Sequence, residues 1–398
     1  MNSKKKPVYI VAAKRSAVGK ALKGGFAKQR PDELLAQVLK QTIMESGINP
    51  VDIGDVIIGC AFPEAEQGQN IARIAALLAG LPDSVPGMTL NRYCSSGLNS
   101  IAIAADAISL GHAQVMVAGG VESMSMIPMG GNDWGVSPQV FLKDSNVAIA
   151  YGMGLTAEVV ANEWQISRQA QDEFALNSHK KAVAAMNNGY LTEEIIPIEV
   201  LHRLPHEISG TIIEHKVIVK QDEGARADTS LEALARLKPA FAAKGSVTAG
   251  NSSQMSDGAA CLVLVSEDYL LKHNLTALGK FLGFAVAGVD PKTMGIGPVK
   301  AIPKVLEQTG LKLEQIEWIE LNEAFAAQSL AVIKELNLNP DIINPYGGAI
   351  ALGHPLGATG SILSTKLLHA LKRSGKKYGM VTMCIGTGMG AAGVFEMV

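Results

Sequence analysis

The chain carries one pattern twice. Residues 31–42, PDELLAQVLKQT, line up with 298–309, PVKAIPKVLEQT, sharing a proline, a Val-Leu pair and a Gln-Thr pair. Each begins a helix and is followed by an Ile-rich strand, IGDVIIGC at 53–60 and IEWIELNEA at 316–324. Further on, GLNSIAIAADAISLGHAQVMVAGG (97–120) lies opposite GSILSTKLLHALKRSGKKYGMVTM (360–383) at nearly the same offset. In both, a helix begins after the glycine and leads to an apolar strand. Identity is low in either match, but two matches in the same order and at a similar separation point to duplication. This confines the fold to two related α/β halves, placed at 1–271 and 272–398.

The composition can fill two such halves. A chain of 398 residues with 47% hydrophobic and 18% charged residues supports two sizeable cores. Its 41 glycines and few aromatics suit helices packed closely on sheets. Between the repeats the texture changes. Residues 121–249 are richer in Met, Asn, His and charge and hold an amphipathic helix at 167–189, with Ser167 as N-cap and Gly189 as stop. A stretch of this length exceeds a connector and reads as an inserted subdomain capping a cleft.

A net charge of −2 gives no global pull toward nucleic acid or an anionic membrane surface. The basic start, MNSKKKPVYIVAAKR, has an apolar run too short for a signal-peptide core and reads as a strand. No apolar stretch is long enough for a membrane span, so a cytoplasmic enzyme is the expectation. The four cysteines are spaced too widely for a zinc site or a disulfide framework, and no metal is expected. Cys60 and Cys261 lie in or beside apolar strand-like runs, where cysteine is a small hydrophobe. Cys94, in NRYCSSGLNS at the mouth of a helix, and Cys384, in CIGTGMGAA, are instead flanked by Gly-rich turns. A helix N-terminus favours a thiolate, which makes Cys94 the candidate reactive thiol.

The second half adds Asn322 at the end of the strand EWIELNEAFA and His354 in the loop INPYGGAIALGHPLGATG. These types belong on the strand-to-helix turns where α/β folds place chemistry. Singly, each has an ordinary reading: a core thiol, a turn histidine, an Asx-turn asparagine. In combination they carry more. NRYCSSGLNS, NEAFA, NPYGGAIALGHPLGATG and CIGTGMGAA occur in this order and resemble the signatures of the thiolase family, as do YGMGLTAE (151–158) and VTAGNSSQMSDGAA. The resemblance covers essentially the whole chain and is nearest to the degradative 3-ketoacyl-CoA thiolases.

The resemblance implies an αβαβα stack of the two halves with an inserted loop subdomain. It makes Cys94 the nucleophile that carries the acyl group as a thioester, His354 the base that deprotonates it, and Cys384 the acid and base toward the departing carbanion and the incoming CoA thiol. One oxyanion hole falls to His354 and a water bound by Asn322, the other to the backbone N–H groups of Cys94 and Gly386. Ser253 matches a position that bonds the pantetheine arm and Arg226 one near the nucleotide end; alone they read equally as a turn serine and a solvated arginine. Met153 and Met294 are candidates for the thioester pocket wall and equally for core filler. No tightly bound cofactor is implied, with CoA and acyl-CoA as substrates. A homodimer or a dimer of dimers is implied, and a hydratase/dehydrogenase partner subunit is compatible.

One position departs from part of the family. Short-chain acetoacetyl-CoA thiolases commonly carry His immediately before the Met of the MG-TAE segment, where this chain has Gly152. The missing bulk suggests a roomier acyl tunnel. The alternatives are a biosynthetic acetyl-CoA acetyltransferase and, from another class, a non-catalytic acyl-CoA-binding protein on the same fold. Decarboxylating condensing enzymes generally use a Cys-His-His or Cys-His-Asn set without the second cysteine.

Overall fold

The computed structural model describes residues 6–133, 135–205 and 208–398. The basic residues 1–5 lie outside the described residues. The first half runs β1 (Val8–Arg15), β2 (Gly19–Lys20), α1 (Pro31–Ser46), β3 (Ile53–Gly59), α2 (Ile71–Leu78), β4 (Gly87–Leu90), α3 (Ser96–Ser109) and β5 (Val115–Ser123). An excursion follows, with α4 (Met153–Glu163), α5 (Arg168–Asn187), the hairpin β6 (Ile198–Pro205) and β7 (Ile212–Val219), and α6 (Leu231–Ala235). The chain then returns through β8 (Ser256–Ser266) and α7 (Glu267–Lys272). The second half runs β9 (Gly279–Gly288), α8 (Gly297–Thr309), β10 (Trp318–Leu321), α9 (Ala326–Leu336), α10 (Ala349–Leu352), α11 (Leu356–Ser374), β11 (Tyr378–Ile385) and β12 (Met389–Glu396).

The duplication is visible in the strand order, β10-β11-β12-β9-β1-β8-β5-β3-β4. Outward from the β1/β9 seam, each half repeats one sequence of pairings. β1 runs antiparallel to β8, β8 antiparallel to β5, and β5 parallel to β3. Likewise β9 runs antiparallel to β12, β12 antiparallel to β11, and β11 parallel to β10. Where β4 lies beside β3, a single parallel bridge joins Ile343 to Ile319 of β10. The seam itself is short: Val8, Tyr9 and Ile10 oppose Phe281, Lys280 and Gly279.

Three cores alternate with the sheet faces. One packs α1 and α2 outside the first half and one packs α8 outside the second. Between them α3 and α11 share a core with residues of β1, β5, β8 and β11, giving the αβαβα stack. Every residue of α11 from Leu356 to Leu371 is buried, as a helix enclosed on all sides requires. The cation on that helix is neutralised in place: Lys366 Nζ meets Glu320 Oε2 at 2.8 Å, and both are buried.

Three sequence boundaries shift. The central helices begin at Ser96 and Leu356, so Gly97 and Gly360 lie inside them, where α3 and α11 approach closely. A Cβ on Gly97 would lie 2.7 Å from the Ser361 amide, and one on Gly360 would overlap Leu98. The inserted stretch starts after Ser123, because residues 121–123 complete β5. The expected amphipathic helix is α5, capped by the Ser167 hydroxyl accepting from the Ala170 N–H. No helix among the described residues is long and apolar enough to cross a membrane.

Candidate active site

Cys94 stands in a 3-10 turn, Tyr93–Ser95, leading into α3. The local sequence holds that turn rigidly. Asn91 accepts from the Tyr93 N–H at 2.7 Å and its side-chain amide donates to Ala61 O at 2.9 Å. Ser96 Oγ accepts from the Arg92 N–H and donates to Tyr93 O. Tyr93 itself is held at φ +45°, a left-handed conformation that costs a non-glycine residue energy and recurs at functional sites. Cys94 is half-buried against Ala61, Met124 and Leu356.

Position and environment oppose each other at this sulfur. The helix mouth and the Gly386 backbone N–H, which is hydrogen-bonded to Cys94, favour a thiolate. Burial is the larger effect, and the negative charge of Glu122 adds to it, so the thiol is pushed up to about 12. Desolvation outweighs the helix terminus, which leaves the thiol in need of a base.

His354 follows Gly353, whose φ of +107° turns the chain between α10 and α11. Its backbone N–H lies 3.2 Å from Gln254 O and 3.1 Å from Ser256 Oγ. The ring is 4% exposed. Its Nδ1 lies 2.6 Å from Thr359 Oγ1, and its Nε2 lies 3.3 Å from Asn322 Nδ2. Burial lowers the imidazole to about 4, so it is neutral at pH 7. Asn322, with no exposed surface, extends the β10–β11 ladder through its N–H to Thr382 O at 2.9 Å. Its Oδ1 is buried with no hydrogen-bond partner, an acceptor left open for a water or a ligand donor.

Cys384 is 1% exposed and packs with Met294, Phe325, Ala157 and Met153. It lies at the end of β11, before a hairpin turn into β12, so the Gly-rich turn read from the sequence joins two strands. Burial drives its thiol well above the ordinary range, and a thiolate at Cys94 would raise it further.

A cavity of about 630 Å³ opens over Cys94, and Gly386, Thr387, Met153, Gly152, Tyr93 and Phe62 contribute to its wall. The inserted stretch supplies Met129–Gly131, Val136 and Ile149–Met153, so it covers a cleft as expected. Met153 faces the cavity, whereas Met294 stands among the apolar neighbours of Cys384. Ser253 and Arg226 do not line this cavity. Ser253 donates its N–H to Ala324 O at 3.0 Å. Arg226 is exposed and bonds Asp228 at 3.3 Å, while its backbone N–H bonds His179 Nδ1.

Two buried carboxylates were not singled out from the sequence. Glu122, at the end of β5, accepts from the N–H groups of Ala61 at 2.8 Å and Gly357 at 2.7 Å, and from the Gln67 side chain. It thereby ties the loop after β3 to the start of α11. Glu323, next to Asn322, accepts from Ser178 Oγ at 2.6 Å, Asn344 Nδ2 at 2.8 Å and the Ile350 N–H at 3.2 Å. Burial raises both carboxyls, opposed by these donors. The available signal was an acidic residue at or just beyond the end of a mostly apolar strand, as in VAGGVES and WIELNEA.

Comparison with known proteins gives a consistent result. The model described as "Thiolase, N-terminal domain" matches residues 8–268, and "Thiolase, C-terminal domain" matches 275–397. A 3-ketoacyl-CoA thiolase of Bacillus subtilis is 49% identical over 392 residues, 98% of this chain and 100% of the relative. The human peroxisomal 3-ketoacyl-CoA thiolase is 44% identical over 98% of this chain and 90% of its own length. Among solved structures, the acetyl-CoA acetyltransferase of Bacillus anthracis superposes with a TM-score of 0.89 at 40% identity, covering 99% of each chain.

Proposed function

Since the chain belongs to the thiolase family and is an acyltransferase of it, we propose that it cleaves a 3-ketoacyl-CoA with CoA, releasing acetyl-CoA and an acyl-CoA two carbons shorter, by a ping-pong route through an acyl-Cys94 thioester. The observation that carries this reading is that chain-distant groups come together in two sets, which the reading brings around one reacting carbon. The Gly386 N–H bonds the Cys94 sulfur, a thiolate there would raise the Cys384 thiol, and Asn322 is paired with His354 Nε2.

The chemistry follows from the protonation states. With a neutral thiol and a neutral imidazole at rest, the Cys94 proton passes to His354 Nε2 as the sulfur attacks the 3-keto carbon, and no preformed ion pair is needed. The oxyanion that forms accepts from the N–H groups of Cys94 and Gly386. The C2–C3 bond then breaks, leaving the acyl group on Cys94 and the electron pair on the acetyl-CoA enolate. His354, now carrying the proton on Nε2, donates to the enolate oxygen together with a water held by the open Oδ1 of Asn322. Cys384 protonates C2, a role suited to a thiol that burial keeps protonated. Its thiolate next takes the proton of incoming CoA, whose sulfur attacks the thioester. Release of the shortened acyl-CoA returns the proton from His354 to Cys94.

CoA acts here as substrate, and Ser253 and Arg226 are proposed as its pantetheine and nucleotide contacts. The two halves at 1–271 and 272–398, a homodimer or dimer of dimers, and a degradative role in fatty-acid β-oxidation belong to the same reading. The acyl chain is assigned to the 630 Å³ cavity, where a Cβ at Gly152 would meet no atom within 4 Å. That open space supports chains longer than acetoacetyl. The likeness to the Bacillus anthracis acetyl-CoA acetyltransferase favours a second reading, condensation of two acetyl units. A thiolysis series from acetoacetyl-CoA to 3-ketoacyl chains of about eight carbons and more separates the two, since the cavity accepts only what its volume admits. A strong preference for the shortest substrate supports the second reading. For the intermediate, the enzyme is mixed with 3-ketoacyl-CoA in the absence of CoA and digested. Acyl mass on the Cys94 peptide is expected, and its absence overturns the mechanism.

A further inference from the structure

We propose that Thr359 sets the tautomer of His354, keeping the proton on Nδ1 and leaving Nε2 as the ring's acceptor. The inference rests on His354 serving as the proton acceptor from Cys94. A neutral imidazole carries one N–H, and its position is dictated by what each nitrogen meets. Nε2 faces Asn322 Nδ2 at 3.3 Å, an amide nitrogen that can only donate. Nε2 is then the acceptor, and the proton lies on Nδ1. Nδ1 meets Thr359 Oγ1 at 2.6 Å. The hydroxyl has its own acceptor, the carbonyl of Pro355 one turn back, at 3.1 Å. Its hydrogen directed there, Oγ1 is free to accept from Nδ1–H. The chain Asn322 Nδ2–H to Nε2, Nδ1–H to Thr359, and Thr359 O–H to Pro355 O uses every donor once.

The fold makes this arrangement stiff. Thr359 is in the first turns of α11 and 2% exposed, so no bulk water competes for Nδ1. A β-branched side chain bonding its i−4 carbonyl has little rotational freedom. His354 and Thr359 lie five residues apart on one rigid loop-to-helix corner, so the ring is oriented by the same element that carries it. With the opposite tautomer, Nε2 would already hold a proton and could not take one from Cys94. Thr359 touches neither sulfur, and its role is to position His354.

The test uses the full-length enzyme labelled with ¹⁵N-histidine. In the wild type the His354 nitrogens, assigned by their loss in His354→Ala, are expected to show a protonated Nδ1 and an unprotonated Nε2. Thr359→Val, which keeps the shape and removes the hydroxyl, is expected to shift this toward a mixture. It should lower kcat roughly 10–100-fold, a part of what general acid–base catalysis supplies, with KM little changed. Thr359→Ser should restore both. A protonated Nε2 in the wild type, or a Thr359→Val enzyme with wild-type kcat, overturns the proposal. Should the valine variant not fold, the wild-type spectrum decides alone. His354→Ala separates the two levels: if it retains turnover, the base assignment fails, whereas its inactivity beside an unimpaired Thr359→Val fails only the role of Thr359.

Discussion

The neighbourhood of Cys94, the proposed nucleophile, holds its thiol neutral, and this has a measurable signature. Because burial pushes Cys94 up to about 12, alkylation by iodoacetamide should keep rising to about pH 9 without a plateau, as expected of a thiol with little thiolate at neutrality. Saturation below about pH 7, followed by mass spectrometry of the Cys94 peptide, would reveal a preformed thiolate and refute the neutral-pair mechanism. Asn322→Ala removes the group assigned to hold the enolate's water and should lower kcat about 10²–10³-fold, the usual effect of deleting an oxyanion donor. His354 also links the site to stability. Its folded value of about 4 lies below the 6.5 of an exposed imidazole. The unfolded chain therefore binds the extra proton as pH falls from 6.5 toward 4, and the folded state loses stability across that window. The buried carboxyls of Glu122, Glu320, Glu323 and Asp257 are raised and work in the opposite sense. The informative quantity is the difference between wild type and His354→Asn in urea unfolding. It should change by about 3 kcal/mol between pH 7 and 4, the variant losing less.

Among elements, the crossing of α3 and α11 governs the site, because the first begins beside Cys94 and the second beside His354. Their approach depends on Gly97 and Gly360, whose missing side chains let backbone lie against backbone. Gly360→Ala should destabilise the protein by about 1–3 kcal/mol through overpacking and lower kcat by moving His354 relative to Cys94. Gly288→Ala, at a position open to added atoms, is the matched control. Thermal unfolding and turnover measured on both decide the matter. If the two variants unfold alike, the glycine contact is not what sets the helix separation. The element types could be read from the residues, since α1, α8, α3 and α11 all lie where the repeat implied. The starts of α3 and α11 could not. A glycine ordinarily reads as a boundary, and only the neighbouring helix makes it an interior residue.

For the molecule, the two halves share what neither owns. The β1/β9 seam pairs three residues on each side, whereas α3 of the first half and α11 of the second complete one core between the sheets. Residues 1–271 alone would leave part of the inner face of their strands uncovered, since α11 would be missing beside α3. This fragment is expected to be molten or aggregated, with weak near-UV circular dichroism, and to recover native signal on co-expression with 272–398. A folded, monomeric 1–271 fragment would contradict a shared core. The candidate site has the same dependence, with Cys94 from the first half and Asn322, His354, Cys384 and Gly386 from the second.

The repeat, the caps and the Gly-flanked Cys, His and Asn motifs were legible without coordinates, because they are local or periodic properties of the chain. They sufficed for the α/β class, the pairing of halves and the choice of candidate residues. Protonation was not legible. Whether Cys94 is thiol or thiolate depends on a contest between desolvation, the α3 terminus, Gly386 and Glu122, groups brought from three segments. Nor were the partners of Thr359, Glu122 and Glu323, ordinary residues in sequence that acquire their roles from what folding sets beside them. Distance in space and exclusion of water enter every electrostatic energy, and neither is written along the chain.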